Sequence, residues 1–122
     1  SKIVVLYAGE NDVNEGIAPE TVLDTFRKFS TLFRAKFPKS KLVYISLKPS
    51  PSRWKIADNF QQANNLIKAE IAKDKRAVFV DVWSPMLGKN GEPIPEIFQG
   101  DKLHLNEKGY EIWRKILEKY LK

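Results

Sequence analysis

Cysteine is absent from this 122-residue chain, and histidine and methionine occur once each. The lack of cysteine excludes disulfides, thiolate zinc sites and a cysteine nucleophile. A single histidine among scattered carboxylates does not form the clustered ligand set of a zinc site, so we expect no metal and no cofactor. The chain is long enough to bury a core without such supports, and we treat residues 1–122 as one domain.

Long apolar runs and long basic runs are also absent. The apolar segments span only a few residues, so the sequence predicts no membrane-spanning helix. No basic-then-apolar signal pattern opens the chain, and the localisation stays undetermined. The formal net charge is +6, yet lysines are interleaved with Glu and Asp and no four basic residues follow one another. This distribution favours a solvated basic surface, with no nucleic-acid partner, over a functional anion-binding face.

Three short segments rich in β-branched residues predict strands that are buried on both faces of a parallel sheet: residues 2–8, 41–47 and 77–83. Three helical patterns alternate with them. The first begins at Pro19 and stops at Pro38, while Asp58 and Asn106 are candidate N-caps of the other two. The predicted apolar stripes are Val22, Phe26, Phe29, Phe33 and Phe37; Phe60, Ala63, Ile67 and Ile71; and Trp113, Ile116, Leu117, Tyr120 and Leu121.

Alternating strands and helices predict an α/β fold with three layers, α/β/α, built from three strand–helix units. Right-handed crossovers place the strands side by side in sequence order. Ligands of such sheets bind at the carboxyl ends of the strands, which directs attention to the loops 9–17, 48–53 and 84–104.

The first of these loops reads Gly9-Glu10-Asn11-Asp12. A glycine at a strand end permits a tight change of direction, and an asparagine just beyond it can offer its amide N–H to a developing anion. A plain Asx turn without chemical function explains the same residues.

The third loop ends with Asp101-Lys102-Leu103-His104. A carboxylate three residues before an imidazole can accept its Nδ1–H, so that Nε2 faces outward as a base. A solvent-facing histidine beside a chance aspartate is the alternative interpretation.

In this order and at these strand ends, the two motifs resemble the third and fifth sequence blocks of the SGNH hydrolase superfamily, the GDSL-like lipases and acylhydrolases. The segments KIVVLYAGEND, YISLKPSPSRW, VDVWSPML and DKLHLNEKGYEIW are similar to one bacterial subgroup, so the resemblance covers essentially the whole chain. It implies the flavodoxin-like SGNH hydrolase fold and the hydrolysis of an acyl or acetyl ester of a lipid or a carbohydrate.

Carried over residue by residue, the resemblance implies that His104 is the general base and that Asp101 orients it. It makes Asn11 a side-chain donor to the oxyanion, with Gly9 shaping that loop.

The middle loop contributes three further candidates. Lys48, Ser50 and Arg53 follow the second strand, where they could line the substrate pocket or simply hold the proline-rich turn.

The family's nucleophilic serine is missing from the pattern. It belongs to a Gly-Asp-Ser-like block near the N-terminus, and a second block supplies a glycine N–H to the oxyanion hole; neither block occurs here. No serine of the chain lies on a glycine-bearing elbow between a strand and a helix. We therefore expect no nucleophile in this chain and no activity of the chain alone.

The resemblance also implies that two strand–helix units, roughly 70 to 90 residues, precede the chain. Without them the apolar edge from Ile3 to Ala8 is unpaired, and we expect a homodimer or a complementary N-terminal segment to cover it. Two other classes of function remain open: a fragment or scaffold that assembles through this edge, and a flavodoxin-like anion-binding module.

Overall fold

A computed structural model describes residues 2–121 and contains a sheet of three parallel strands. The strands are β1 (Ile3–Leu6), β2 (Lys41–Ile45) and β3 (Ala77–Val80), in the order β1-β2-β3. Val5 pairs with Val43 and Val43 with Val78, which aligns the carboxyl ends of all three strands. The predicted α/β fold and the predicted strand order are confirmed.

Four helices and three short 3₁₀ turns connect and cover the strands. The helices are α1 (Glu10–Asn14), α2 (Pro19–Lys36), α3 (Ala57–Ile71) and α4 (Glu107–Glu118). The 3₁₀ turns are Pro51–Ile56, Ser84–Met86 and Pro95–Ile97, and each has a proline at its first or second position. Proline suits a first helical position because its ring fixes φ and an amide there has no intrahelical partner.

The central strand β2 divides the core into two halves. Leu42 and Tyr44 point to the side that α2 and α3 cover, whereas Val43 and Ile45 point to the α4 side, as the two-residue period of a strand requires. All four side chains are less than 5% exposed. The molecule therefore has the three predicted layers, with β2 buried between them.

The edge strand β1 corrects one prediction. The sequence predicts burial on both faces, yet Ile3 is 36% exposed and Val5 is 44% exposed. Val4 and Leu6 pack on the α2 and α3 side, but α4 covers mainly β2 and β3. An outermost strand has neither a second neighbour nor a complete cover, which explains the exposure.

The ends of the helices confirm some predicted signals and correct others. Pro19 occupies the first turn of α2, and Asn106 caps α4 by accepting the amide of Gly109 at 3.1 Å. Asp58 is not an N-cap: the 3₁₀ turn Pro51–Ile56 runs straight into α3, so the amide of Ala57 already bonds to Trp54.

Two residues of the predicted stripes do not reach the core. Phe37 follows the last turn of α2 and Leu121 lies beyond α4, and both side chains are at least 40% exposed. Their spacing fits a helix, but the helices end before them.

Among residues 2–121, no helix is long and apolar enough to cross a lipid bilayer.

Candidate active site

An open cavity of about 490 Å³ lies at the carboxyl ends of β1 and β2. The loop after β1, the loop after β2 and the loop before α4 all contribute to its wall. Five of the residues predicted from the sequence line it together: Gly9, Asn11, Lys48, Arg53 and His104. Parallel strands bring these distant segments to one edge of the sheet.

His104 and Asp101 form the contact that their spacing predicts. The imidazole Nδ1 lies 2.5 Å from Oδ2 of Asp101, while Oδ1 of Asp101 accepts the amides of Leu103 at 2.9 Å and His104 at 3.0 Å. The turn is tight enough that Lys102 has a positive φ of 59°. One carboxylate thus holds both the turn and the ring.

Asp101 is ionised in this arrangement. The hydrogen bond from His104, together with those from the two amides, lowers the pKa of Asp101 from its ordinary 3.8 to about 2. An ionised carboxylate only accepts hydrogen bonds, so Nδ1 of His104 carries a proton and Nε2 faces away from Asp101. The geometry gives His104 the tautomer of a base, and its catalytic role remains a prediction.

The turn of His104 is tied to the neighbouring loops through the main chain. The amide of Gln99 donates to the carbonyl of His104 at 2.8 Å, and the amide of Ser52 donates to the carbonyl of Lys102 at 3.1 Å. The second bond joins the loop before α4 to the loop after β2.

Gly9 turns the chain from β1 directly into the short helix α1. Its φ of 107° belongs to the left-handed region, and a Cβ there would lie 3.2 Å from Cγ1 of Val22. Both observations favour glycine. The predicted loop is therefore a helical turn, and it places Asn11 exposed at the cavity.

Glu10 is a site residue that sequence reasoning missed. Its side chain is only 10% exposed, and its two carboxylate oxygens contact Nζ of Lys48 at 2.8 and 3.0 Å. Oε2 also accepts NH1 of Arg53 at 2.7 Å. We call Glu10, Lys48 and Arg53 the buried ion cluster.

Two neighbours complete the surroundings of Glu10. The hydroxyl of Tyr7 donates to Oε1 of Glu10. Burial, then the charge of Glu10, raises the pKa of Tyr7 far above its ordinary value, so this hydroxyl stays protonated. The rings of Trp113 and Tyr7 pack edge to face with 5.3 Å between their centroids. The sequence does not single out Glu10, because a charged residue in a loop is usually solvated. The two cationic residues after β2, Lys48 and Arg53, are the only signal in the sequence for a buried carboxylate partner.

Ser50, the third candidate of the middle loop, does not line the cavity. It is 3% exposed, and its hydroxyl has no hydrogen-bond partner among the described residues. No other serine of residues 2–121 lines this cavity either. Ser46, for example, directly follows β2 and is buried, and its hydroxyl oxygen accepts a hydrogen bond from the amide of Val82 at 2.9 Å. Among the described residues, the cavity wall thus holds the imidazole of His104 and the amide of Asn11 but no serine.

Within the same part of the chain, no three His, Cys, Asp or Glu residues lie close enough together to hold a metal ion.

The parallel sheet between two helical layers and the position of the cavity define the class of protein: an α/β protein with the SGNH hydrolase fold. Its family follows from sequence. The model of the GDSL-like lipase/acylhydrolase family matches residues 1–112, and the chain belongs to this family.

Solved structures with the same fold come from diverse organisms. A Streptococcus pneumonia protein, provisionally described as a platelet activating factor, is 20% identical with a TM-score of 0.90, over 99% of this chain and 60% of its own. A GDSL-like lipase from Bacteroides thetaiotaomicron is 28% identical with a TM-score of 0.74, over 98% and 61%. A family 3 carbohydrate esterase from Talaromyces cellulolyticus is 18% identical with a TM-score of 0.79, over 98% and 56%.

The chain thus spans about 60% of the length of these solved proteins. None of the curated protein sequences is similar enough to it to count as a match.

Proposed function

We propose that this chain is the acid–base part of a serine ester hydrolase that cleaves acyl or acetyl esters of lipid or carbohydrate type. The observation that carries the proposal is that His104, bonded to Asp101, lines one cavity with Asn11. Membership of the GDSL-like lipase/acylhydrolase family supports it, as do the lipase and the carbohydrate esterase that share the fold.

The proposed reaction uses a serine from a segment outside residues 1–122. The serine oxygen attacks the ester carbonyl carbon, and its proton passes to Nε2 of His104. The amide Nδ2–H of Asn11 donates to the carbonyl oxygen as it gains negative charge. The intermediate then expels the alcohol, which takes the proton from His104. Water, activated by the same imidazole, hydrolyses the acyl-enzyme and restores the serine.

The free edge of β1 is the proposed place where that segment attaches. Exposed Ile3 and Val5 and the unpaired backbone of β1 offer a template for one more parallel strand. A second copy of this chain is the alternative occupant, and it would make the edge an assembly surface. Light scattering after size-exclusion chromatography tests this: a stable, soluble monomer of residues 1–122 would contradict both occupants.

An anion-binding module receives less support from the site. The carboxylate of Glu10 already contacts both Lys48 and Arg53, so the two cations of the cavity wall are engaged within the protein.

The test of the ester hydrolase compares this chain with the complete enzyme, by which we mean the chain together with the serine-bearing segment. A fluorophosphonate probe should label the complete enzyme on that segment and leave residues 1–122 alone unlabelled. Labelling of a serine within residues 1–122 would overturn the proposal.

A matched pair of variants tests the His104–Asp101 contact. Asp101→Asn keeps the oxygen that holds the turn but loses the carboxylate that selects the tautomer of His104, so kcat should fall by about 10⁴-fold. Asp81 is the control, because its Oδ1 accepts the amides of Trp83 and Ser84 in the same manner, away from the cavity. Asp81→Asn should keep full activity; equal losses in the two variants would refute the proposed pair.

A further inference from the structure

The buried ion cluster contains one more cation than its carboxylate needs. Lys48 alone contacts both oxygens of Glu10, and the side chains of Lys48 and Glu10 are 8% and 10% exposed. Arg53 is added to this pair at 2.7 Å from Oε2, with a side chain that is only 14% exposed. An arginine is not required to neutralise Glu10, so its position calls for another partner.

That partner is the side chain of Asn11. Both terminal nitrogens of Arg53, NH1 and NH2, lie 3.3 Å from Oδ1 of Asn11. A guanidinium carries donors only and no acceptor, so the atom of Asn11 that faces it must be the carbonyl oxygen. The amide nitrogen Nδ2 must then face the opposite way.

We infer that Arg53 is a positioning residue, which fixes the side-chain amide of Asn11 so that its N–H donor stays directed away from Arg53 and available to the oxyanion. This inference rests on the proposed function. Asn11 is exposed on the first turn of α1, where its amide would otherwise rotate or flip in water. Glu10, held by Lys48, anchors the guanidinium of Arg53. The orientation of the Asn11 amide is therefore set before substrate binds.

The fixed fork of arginine explains why lysine would not do the same work. A lysine at position 53 would keep the charge near Glu10, but a single ammonium cannot reproduce the planar set of donors that reaches both Glu10 and Asn11. The two substitutions Arg53→Lys and Arg53→Gln therefore separate charge from geometry.

The experiment measures kcat and KM of the complete enzyme with a soluble acyl ester. Arg53→Gln and Arg53→Lys should both lower kcat, by about 10-fold, with KM changed less than about twofold, because a misdirected donor affects the transition state more than the ground state. A loss confined to KM in both variants would show that Arg53 binds substrate directly, and the inference would fail.

A double-mutant cycle then tests whether Arg53 acts through Asn11. Asn11→Ala should lower kcat by about 10²-fold, and adding Arg53→Gln to it should change kcat by less than about twofold. An unreduced effect of Arg53→Gln in the Asn11→Ala background would overturn the positioning role alone. An Asn11→Ala enzyme with full kcat would instead overturn the proposed function on which this role rests.

Arg34 provides the matched structural control. It is also a partly buried, ion-paired arginine, 2.7 Å from Asp74, and it lies outside the cavity. Arg34→Gln should lower the melting temperature and leave kcat unchanged. If Arg34→Gln lowers kcat as much as Arg53→Gln does, the effect of Arg53 is one of stability and the inference is wrong.

A readout without turnover completes the test. In ¹H–¹⁵N spectra of the complete enzyme, the side-chain NH₂ pair of Asn11 is identified by its loss in Asn11→Ala. In Arg53→Gln this pair should shift toward the position of a freely rotating amide, while in Arg34→Gln it should stay in place. An unmoved pair in Arg53→Gln would contradict the inference.

Discussion

Three residues of the buried ion cluster show how one carboxylate can organise a site. Glu10 is surrounded by protein, and its one carboxylate contacts both Lys48 and Arg53, whose side chains are themselves less than 15% exposed. A buried ion pair contributes little net stability when complete, but removing one partner leaves an uncompensated charge. The cluster is therefore sensitive to the loss of its single anion.

We expect Glu10→Gln to destabilise the protein by about 3–5 kcal/mol, measured as the free energy of unfolding in urea. Glu111 is the control, since its ion pair with Arg114 is exposed on both sides. Glu111→Gln should leave the free energy of unfolding nearly unchanged, because an exposed ion pair contributes little to stability. Equal changes in the two variants would mean that the cluster is solvated and not buried.

The aspartate of the His104 turn has a measurable titration. The hydrogen bond from His104 is the largest cause of the lowered pKa of Asp101. In His104→Ala this pKa should therefore rise from about 2 toward the ordinary 3.8. The Asp101 carboxyl is thus charged throughout the neutral range and loses its charge only as the pH falls through about 2. Carbon NMR of this carboxyl measures both midpoints; a wild-type midpoint near 3.8 would refute the bond in solution.

Among the elements, helices were the most predictable from the sequence. The apolar period of α2 and the prolines that flank it predict its bounds within one or two residues, because the same side chains that set the period fill the core. The apolar pattern places the end of α4 too far along the chain, because the periodic position of Leu121 does not show whether the helix still continues there.

Other features depend on contacts that no local pattern contains. Asp58 has the residue type of an N-cap, but the preceding 3₁₀ turn removes the need for one. The Asp101–His104 contact was predictable because it spans three residues, whereas Glu10 meets Lys48 and Arg53 across about forty. Only the folded sheet brings those segments together.

At the start of α4 we expect alanine to be less stable than glycine, which is the opposite of what helix propensity predicts. Alanine is favoured over glycine inside a helix by about 1 kcal/mol. At Gly109, however, a Cβ would lie 2.6 Å from the carbonyl oxygen of Ile97 and 2.9 Å from Leu105. We expect the steric clash to outweigh the higher helix propensity of alanine, so that Gly109→Ala lowers the free energy of unfolding by about 1–3 kcal/mol.

Gly100 supplies the control for this substitution, because a Cβ there meets nothing within 4 Å. Thermal unfolding of both variants checks the comparison. A Gly109→Ala protein that is as stable as Gly100→Ala would show that α4 can move away from the loop that carries His104.

On the scale of the whole molecule, two buried tyrosines make the free energy of unfolding fall at alkaline pH. Burial is the first cause that raises the pKa of Tyr7 and of Tyr44 well above the ordinary 10.0. Such groups stabilise the fold fully below pH 10.0, and the stabilisation is lost as the pH rises, because only the unfolded chain ionises them.

Each of these tyrosines should therefore remove about 1.4 kcal/mol of stability by pH 11. Urea unfolding between about pH 9 and 11 measures the decline. Tyr44→Phe should make it shallower, at the expense of the hydrogen bond from Tyr44 to the carbonyl of Ala8. A stability that stays constant over this range would contradict the burial of both hydroxyls.

The bond from the Ser52 amide to the Lys102 carbonyl joins the turn of His104 to the residue that precedes Arg53. Both groups belong to the main chain, so side-chain replacement at either position leaves the bond intact unless proline removes the amide. Side-chain substitutions can therefore accumulate at both positions while the turn of His104 and the residue before Arg53 stay joined.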